Sequence, residues 1–163
     1  MASIKAVLSK PFARLIAHRI TSWASQPVKT QEKVFNNLIS KANNTVFGRD
    51  HNFAHISNYE DFKKNIPIRD YEELKPYVER VVNGEEDILW KGKPLYFAKT
   101  SGTTSGAKYI PITKESMPTH VNAARNAILM YINETGNTKF VDGKMIFLQG
   151  SPVLQEKNGI KLG

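Results

Sequence analysis

Apolar residues in the first half of the chain recur at helical spacing, whereas those in the second half gather into short runs. Ile4, Val7, Leu8, Phe12, Leu15, Ile16, Ile20 and Trp23 step by three and four, which predicts one apolar helical face over residues 1–24. Pro11 lies inside that pattern and predicts a kink, or a new first turn near Lys10. A second helix is expected from about Thr30 to the polar pair Asn43-Asn44, with Val34, Phe35, Leu38, Ile39 and Ala42 inward. Its apolar face matches the first, so the two helices are expected to dock on each other. A connector follows through Gly48. Ser57 and Glu60 read as a capping box for a short helix carrying Tyr59 and Phe62, which Pro67 stops. Asp70 and Glu73 repeat the device, and Pro76 inside the pattern predicts two short turns in place of one straight helix. Tyr77, Val78, Val81 and Val82 give that segment its apolar face, and Gly84 ends it.

Beyond residue 92 the period changes. Leu95 to Ala98 and Tyr109 to Ile112 are β-branched and aromatic and read as strands, the second at a sheet edge because of Pro111. Thr113 is placed to cap a long helix with Met117, Val121, Ala124, Ile128, Tyr131 and Ile132 as its buried stripe and Gly136 as its end. Lys144 to Gln149 reads as a buried strand, and Gly150-Ser151-Pro152 as a turn. The segments Val153-Leu154-Gln155 and Gly159-Ile160-Lys161-Leu162 are expected to pair across Asn158-Gly159, the strongest hairpin signal present. The fold expected is α/β: residues 1–92 mainly helical, and 93–163 a strand-loop-strand segment, a long helix, a strand and a hairpin. No internal repeat or low-complexity tract interrupts it.

The chemistry sits between the first two strands, where Thr100-Ser101-Gly102-Thr103-Thr104-Ser105-Gly106-Ala107-Lys108 collects hydroxyls, two glycines and a lysine. Glycines let backbone N–H groups approach an anion without a Cβ in the way. Successive N–H groups then form an anion-binding concavity. The hydroxyls add donors, and Lys108 supplies a point charge for outer phosphates. A loop of this make-up suits a polyphosphate; the plainer possibility is a mobile Ser/Thr/Gly linker, against which stand the hydrophobic flanks and the short length. It is not a Walker loop, because three residues separate Gly102 from Gly106 and a strand follows Lys108 where that motif has a helix.

Composition adds limits. With 163 residues the chain is long enough for one domain with a sizeable core. No cysteine is present, which excludes disulfides and Cys-based zinc sites and suits a reducing, cytoplasmic setting. The net charge of +8 suits a polyphosphate ligand, an acidic surface or nucleic acid, but basic residues are scattered without interleaved aromatics, and no nucleic-acid partner is expected. Lys5, Lys10, Arg14 and Arg19 precede the first acid, Glu32, so residues 1–24 also fit a transit peptide or membrane-surface helix. Docking on the body of the protein is the reading preferred, and no membrane partner is expected. The scattered histidines, including His51 and His55, do not make a metal site, and Glu72, Glu73, Glu85, Glu86 and Asp87 read as a solvated face.

The order strand, loop, strand, helix and the spelling Thr100 to Lys108 resemble the phosphate-binding motif of the adenylate-forming superfamily. Two departures stand out: Ser105 is inserted before the second glycine, and Ala107 replaces a frequent proline. The Thr-Ser-Gly-Thr-Thr-Ser-Gly form is most similar to the acyl-acid amido synthetases, a branch first named as auxin-responsive proteins in plants and with bacterial-type members. Thr45-Val46-Phe47-Gly48-Arg49, Ile66-Pro67-Ile68-Arg69-Asp70-Tyr71 and Gly150-Ser151-Pro152 are similar to the same branch, which spreads the resemblance over most of residues 30–155.

The resemblance implies the N-terminal part of a large adenylate-forming domain, with N-terminal helices packed on part of its sheet. It implies a parent enzyme that uses Mg2+ and ATP to adenylate a carboxylic acid and then joins it to an amino acid. Thr100, Ser101, Gly102, Thr103, Thr104, Ser105, Gly106 and Lys108 are the ATP-phosphate residues so implied; no catalytic or metal-ligating residue is assigned. The helix after the loop borders the acid pocket in that family, which brings Arg125 into view, although an exposed helical arginine is the preferred reading. The later adenine-binding motif, ribose-binding acid and late lysine of the family are not in these residues, so the chain alone is expected to be inactive. Two other readings stay open: a non-enzymatic helical interaction module with a basic amphipathic N-terminal helix, and an acyl-CoA ligase sharing only the loop.

Overall fold

The computed structural model describes residues 3–100, 107–144, 146 and 154–162. The predicted strand Lys144 to Gln149 and the turn at Gly150-Ser151-Pro152 therefore lie largely outside the described residues. Two compact units share the chain, one drawn from Met1–Gln31 and Glu115–Gln149, the other from Glu32–Lys114 and Gly150–Gly163.

The first unit pairs helix α1 (Ile4–Ala24) with a late helix, Met117–Thr135, and a 3-10 turn, Lys139–Asp142. Pro11 neither ends nor divides α1. It stands on the exposed side, as does Val7, whose carbonyl loses its partner to the missing N–H and is left to solvent. The buried face is also not the expected one. Ala6, Ala13, Ile16 and Ala17 are covered, while Ile4, Val7, Leu8, Leu15 and Trp23 stay exposed. Small side chains let a neighbouring helix come close, and that neighbour is the late helix through Leu129 and Ile132, with Ile20, Ile128, Phe140 and Val141 around them. Within this unit α1 is thus docked on the late helix. Ser3 caps α1, its hydroxyl accepting from the Ala6 N–H at 3.2 Å.

The second unit holds the rest of the described chain. Helix α2 (Pro27–Ala42) leads into α3 (Val46–Asp50), where a connector was expected. Thr45 makes α3 possible: its hydroxyl donates to the Ala42 carbonyl at 2.7 Å and accepts from Gly48 N–H at 2.9 Å. The Val46 and Phe47 N–H groups, orphaned at the helix start, bond to the Asp87 and Ile88 carbonyls at 2.8 and 3.0 Å. Helix α4 (Tyr59–Asn65) starts one residue later than expected, capped by Asn58 on the Asp61 N–H, with Asp61 in turn accepting from the Ser57 N–H. A 3-10 turn, Phe53–His55, lies before it. Phe53 and Ile56 meet Ile39 and Ala42 in a small core that Phe35, Phe47, Phe62 and Trp90 flank.

Helix α5 (Tyr71–Val82) carries the Asp70–Glu73 capping box as read from the sequence. It runs unbroken through Pro76, contrary to the expectation of two turns, because Pro76 is exposed and Val78, Val81 and Val82 are buried on the opposite side. One lost hydrogen bond on the wet face does not outweigh that burial.

Strands β1 (Tyr96–Lys99), β2 (Tyr109–Ile112), β3 (Gln155–Lys157) and β4 (Ile160–Leu162) form one sheet in the order β2-β1-β4-β3. β1 is antiparallel to β2 and parallel to β4, and β3 and β4 form the expected hairpin. Asn158 and Gly159, with φ of 52° and 77°, make its turn in the left-handed region. β2 is an edge strand, which is where Pro111 is tolerated. Phe97 on β1 is fully buried between α5 and the sheet, among Val78, Val82, Ile88, Ile160 and Leu162. The fold is α/β, with α5 laid on a four-stranded sheet. The late helix, α6 (Met117–Thr135), begins at Ser116, later than Thr113, and ends at Gly136 with φ of 66° as expected. Of its predicted stripe, Ile132 is buried and Ile128 partly so, while Val121 and Tyr131 are exposed.

Candidate functional site

The hydroxyl-rich loop opens from the end of β1 and returns into β2. Ser101, Gly102, Thr103, Thr104, Ser105 and Gly106 lie outside the described residues, so the site is built from the two residues that close it, Thr100 and Lys108, and from what holds them. The β1–β2 ladder pairs Lys99 with Tyr109 and extends one step further. Thr100 donates its N–H to the Lys108 carbonyl at 3.0 Å, and its hydroxyl accepts the Lys108 N–H at 3.2 Å. The loop is therefore pinned at both ends by the same two residues. A tether would not be.

Helix α5 supplies the second support. Tyr71, its first residue, accepts the Tyr109 N–H on its phenol oxygen at 2.8 Å. The same ring lies beneath Lys108, with Nζ 5.2 Å from the ring centroid, within the range of a cation–π contact. Sequence reading singled out Asp70 as a cap and quoted Tyr71 within a family-like stretch, but gave it no role. Only contact across 38 positions reveals one.

A cavity of about 290 Å³ adjoins these residues, bounded by Tyr71, Lys75 and Glu79 of α5, by Ala107 and Tyr109, and by Lys157 of the hairpin. Its wall carries ions of both signs, Lys75 being paired with Glu72 at 3.3 Å.

The Thr45–Arg49 and Ile66–Tyr71 stretches meet behind α5. Arg69 lies over the Phe47 ring, 6.0 Å from its centroid, and Tyr77 donates to the Asp50 carboxylate at 2.9 Å. Burial, and then that bond to Asp50, push the Tyr77 phenol above its ordinary pKa. His51 is buried, stacked on Phe47 at 4.0 Å, with Nδ1 donating to the Phe47 carbonyl at 2.8 Å. Its ring is thus packed on Phe47 and bonded to that residue's carbonyl. Among the described residues no group of three or more His, Cys, Asp or Glu could hold a metal ion. Arg125 is exposed on α6, over the Phe12 ring at 5.9 Å and bonded to Asn126. Glu73, Glu85 and Glu86 are used locally, in the cap, on Arg80 at 2.8 Å and on Lys93 at 3.7 Å; Asp87 accepts the Gly92 N–H.

Known proteins share this fold. The structure superposes on acyl acid amido synthetase GH3.15 in complex with 2,4-DB with a TM-score of 0.75, over 99% of this chain and 28% of that one, at 22% identity. In sequence, the chain is 34% identical over 87 residues to indole-3-acetic acid-amido synthetase GH3.15 of Arabidopsis thaliana, covering 52% of this chain and 13% of that protein. It is 26% identical over 138 residues to jasmonoyl–L-amino acid synthetase JAR4 of Nicotiana attenuata, covering 83% of this chain and 23% of that protein. The chain thus spans a quarter or less of the length of these curated relatives. The family model described as the GH3 family N-terminal domain matches residues 16–163, a span that holds both strands, the loop between them and the tyrosine that braces it. The chain belongs to the GH3 family.

Proposed function

We propose that this chain is the N-terminal, ATP-phosphate-binding part of an ATP-dependent acyl-acid amido synthetase, a carbon–nitrogen ligase. Residues 1–163 then form part of a larger adenylate-forming domain. The observation that carries the reading is the loop pinned by Thr100 and Lys108 between β1 and β2, in a chain of the GH3 family. A braced loop of hydroxyls and glycines is what a polyphosphate needs, since its N–H groups and hydroxyls must already point at the anion.

In the parent reaction a carboxylate oxygen attacks the α-phosphorus of ATP. The bond to pyrophosphate breaks, leaving an acyl-adenylate. The amine of an amino acid then attacks the activated carbonyl and expels AMP. Ser101, Thr103, Thr104 and Ser105, with Thr100, hydrogen-bond phosphate oxygens; Gly102 and Gly106 permit close approach; Lys108 offsets charge on the leaving pyrophosphate. Residues here position and stabilise, and none acts as a nucleophile or base. Mg2+ bound with the nucleotide would offset charge on its phosphates, and no residue of this chain is assigned as its ligand. Lys108, a half-buried residue at the mouth of the loop, fits an anionic ligand. A cytoplasmic location accords with a chain free of cysteine, in whose described residues no helix is long and apolar enough to cross a membrane.

The test is acid-dependent pyrophosphate release by the full-length protein carrying Ser101→Ala with Lys108→Ala. The expected loss is on the order of a hundredfold. Release at the wild-type rate would remove the assignment. The interaction-module reading would gain only if deleting residues 1–24 abolished localisation while loop substitutions changed nothing. The acyl-CoA ligase reading is separated by the acceptor that consumes the adenylate, CoA or an amino acid.

A further inference from the structure

β2 lies at the sheet edge, so alternate N–H groups along it face away from β1. Lys108 directs its N–H toward β1, onto the Thr100 hydroxyl, and the next N–H, of Tyr109, points outward. An outward N–H on an edge strand normally goes to water or to a neighbouring strand. Here a side chain takes it: the Tyr71 phenol oxygen, at 2.8 Å. The same ring carries the Lys108 ammonium on its face, 5.2 Å from the centroid. Tyr71 is itself fixed, as the first residue of α5 behind the Asp70–Glu73 box and half-buried against the Phe97 core.

We propose that Tyr71 is the positioning residue of the phosphate site, holding the backbone of β2 through its hydroxyl and seating the Lys108 ammonium on its ring for delivery to the nucleotide's outer phosphates. The inference rests on the proposed role of Lys108. A lysine side chain has several rotatable bonds, and ordering it on binding costs conformational entropy. An aromatic seat beside the loop keeps the cation ordered and only lightly solvated before ATP arrives. A phosphate oxygen then meets the ammonium from the other side while the ring stays beneath it, so the seat is kept in the bound state. Tyr71 touches no reacting atom; it acts through Lys108.

The experiment is isothermal titration of Mg·ATP into the full-length protein, with wild type, Tyr71→Phe, Tyr71→Gln, Lys108→Ala and the Tyr71→Gln/Lys108→Ala pair. Phe keeps the ring and loses the hydroxyl; Gln keeps an acceptor for the Tyr109 N–H and loses the ring. Tyr71→Gln should weaken ATP binding roughly threefold to tenfold, and Tyr71→Phe by no more than about twofold. On the Lys108→Ala background, Tyr71→Gln should add nothing, because its effect passes through the ammonium. A general structural role would lower affinity equally with and without Lys108. Additive losses, or a Tyr71→Gln variant that binds like wild type, would overturn the inference while leaving the loop's assignment intact. Wild-type binding by Lys108→Ala would instead remove the assigned role of Lys108 and this inference with it. Should Tyr71→Gln fail to fold, Tyr71→Leu removes the ring with apolar bulk retained, and the same expectations apply.

Discussion

Gly48 shows how one residue constrains the fold. A Cβ at this position would overlap the carbonyl oxygen of Ala42 and lie 2.9 Å from that of Asn43. The clash is with backbone at the end of α2, which cannot rotate away. Gly48→Ala should therefore destabilise the protein by about 1–3 kcal/mol or more, read as a lower midpoint in denaturant unfolding. This gives the Thr45–Arg49 stretch a physical meaning. Thr45 closes the end of α2 and opens α3, and Gly48 lets the two helices meet. Read as sequence, the stretch was a family-like word followed by a connector. The reason for its glycine lies in carbonyl groups five and six positions earlier, and no local pattern reports those.

At the scale of elements, α1 is tied to the 3-10 turn at Lys139–Asp142 by a relay. The Ser3 N–H and hydroxyl both donate to the Asp142 carboxylate, the N–H at 3.2 Å, while the hydroxyl oxygen accepts from Ala6. The Ser3 hydroxyl, and then its N–H, hold the Asp142 carboxyl below its ordinary value of 3.8. A depressed carboxyl stabilises the fold above its unfolded value and loses that contribution as pH falls through the lower folded one. Wild type should thus melt above Asp142→Asn at neutral pH, with the gap closing as the pH falls below 3.8, as followed by circular dichroism. Local signals set many element ends correctly: the Asp70–Glu73 box, the Gly136 stop and the Asn158-Gly159 turn all rely on neighbours in sequence. They failed where a distant partner decided. Pro76 did not break α5, since the ring faces water and three valines bury on the other side. In α1, periodicity found an apolar stripe, yet α6 packs on the alanines beside it.

For the whole molecule, the isolated 163-residue chain should show no acid-dependent ATP–pyrophosphate exchange. On the proposed reading it supplies the phosphate loop, and it spans a quarter or less of the curated relatives it matches. Detectable exchange by the chain alone would mean that these residues complete an ATP site. The strands β1 and β2, the final hairpin and the family were determined by the sequence, because each depends on residue types at short, fixed spacing: short β-branched and aromatic runs for strands, Asn-Gly for the turn, and the spelling from Thr100 to Lys108 for the family. Tertiary structure alone decided which strands are neighbours, with β1 lying between β2 and β4. It also decided which face of α1 is covered, and that the ring beneath Lys108 belongs to Tyr71. These rest on contacts between residues far apart in the chain, and such contacts are selected by packing, a property of the folded whole that local spacing does not encode.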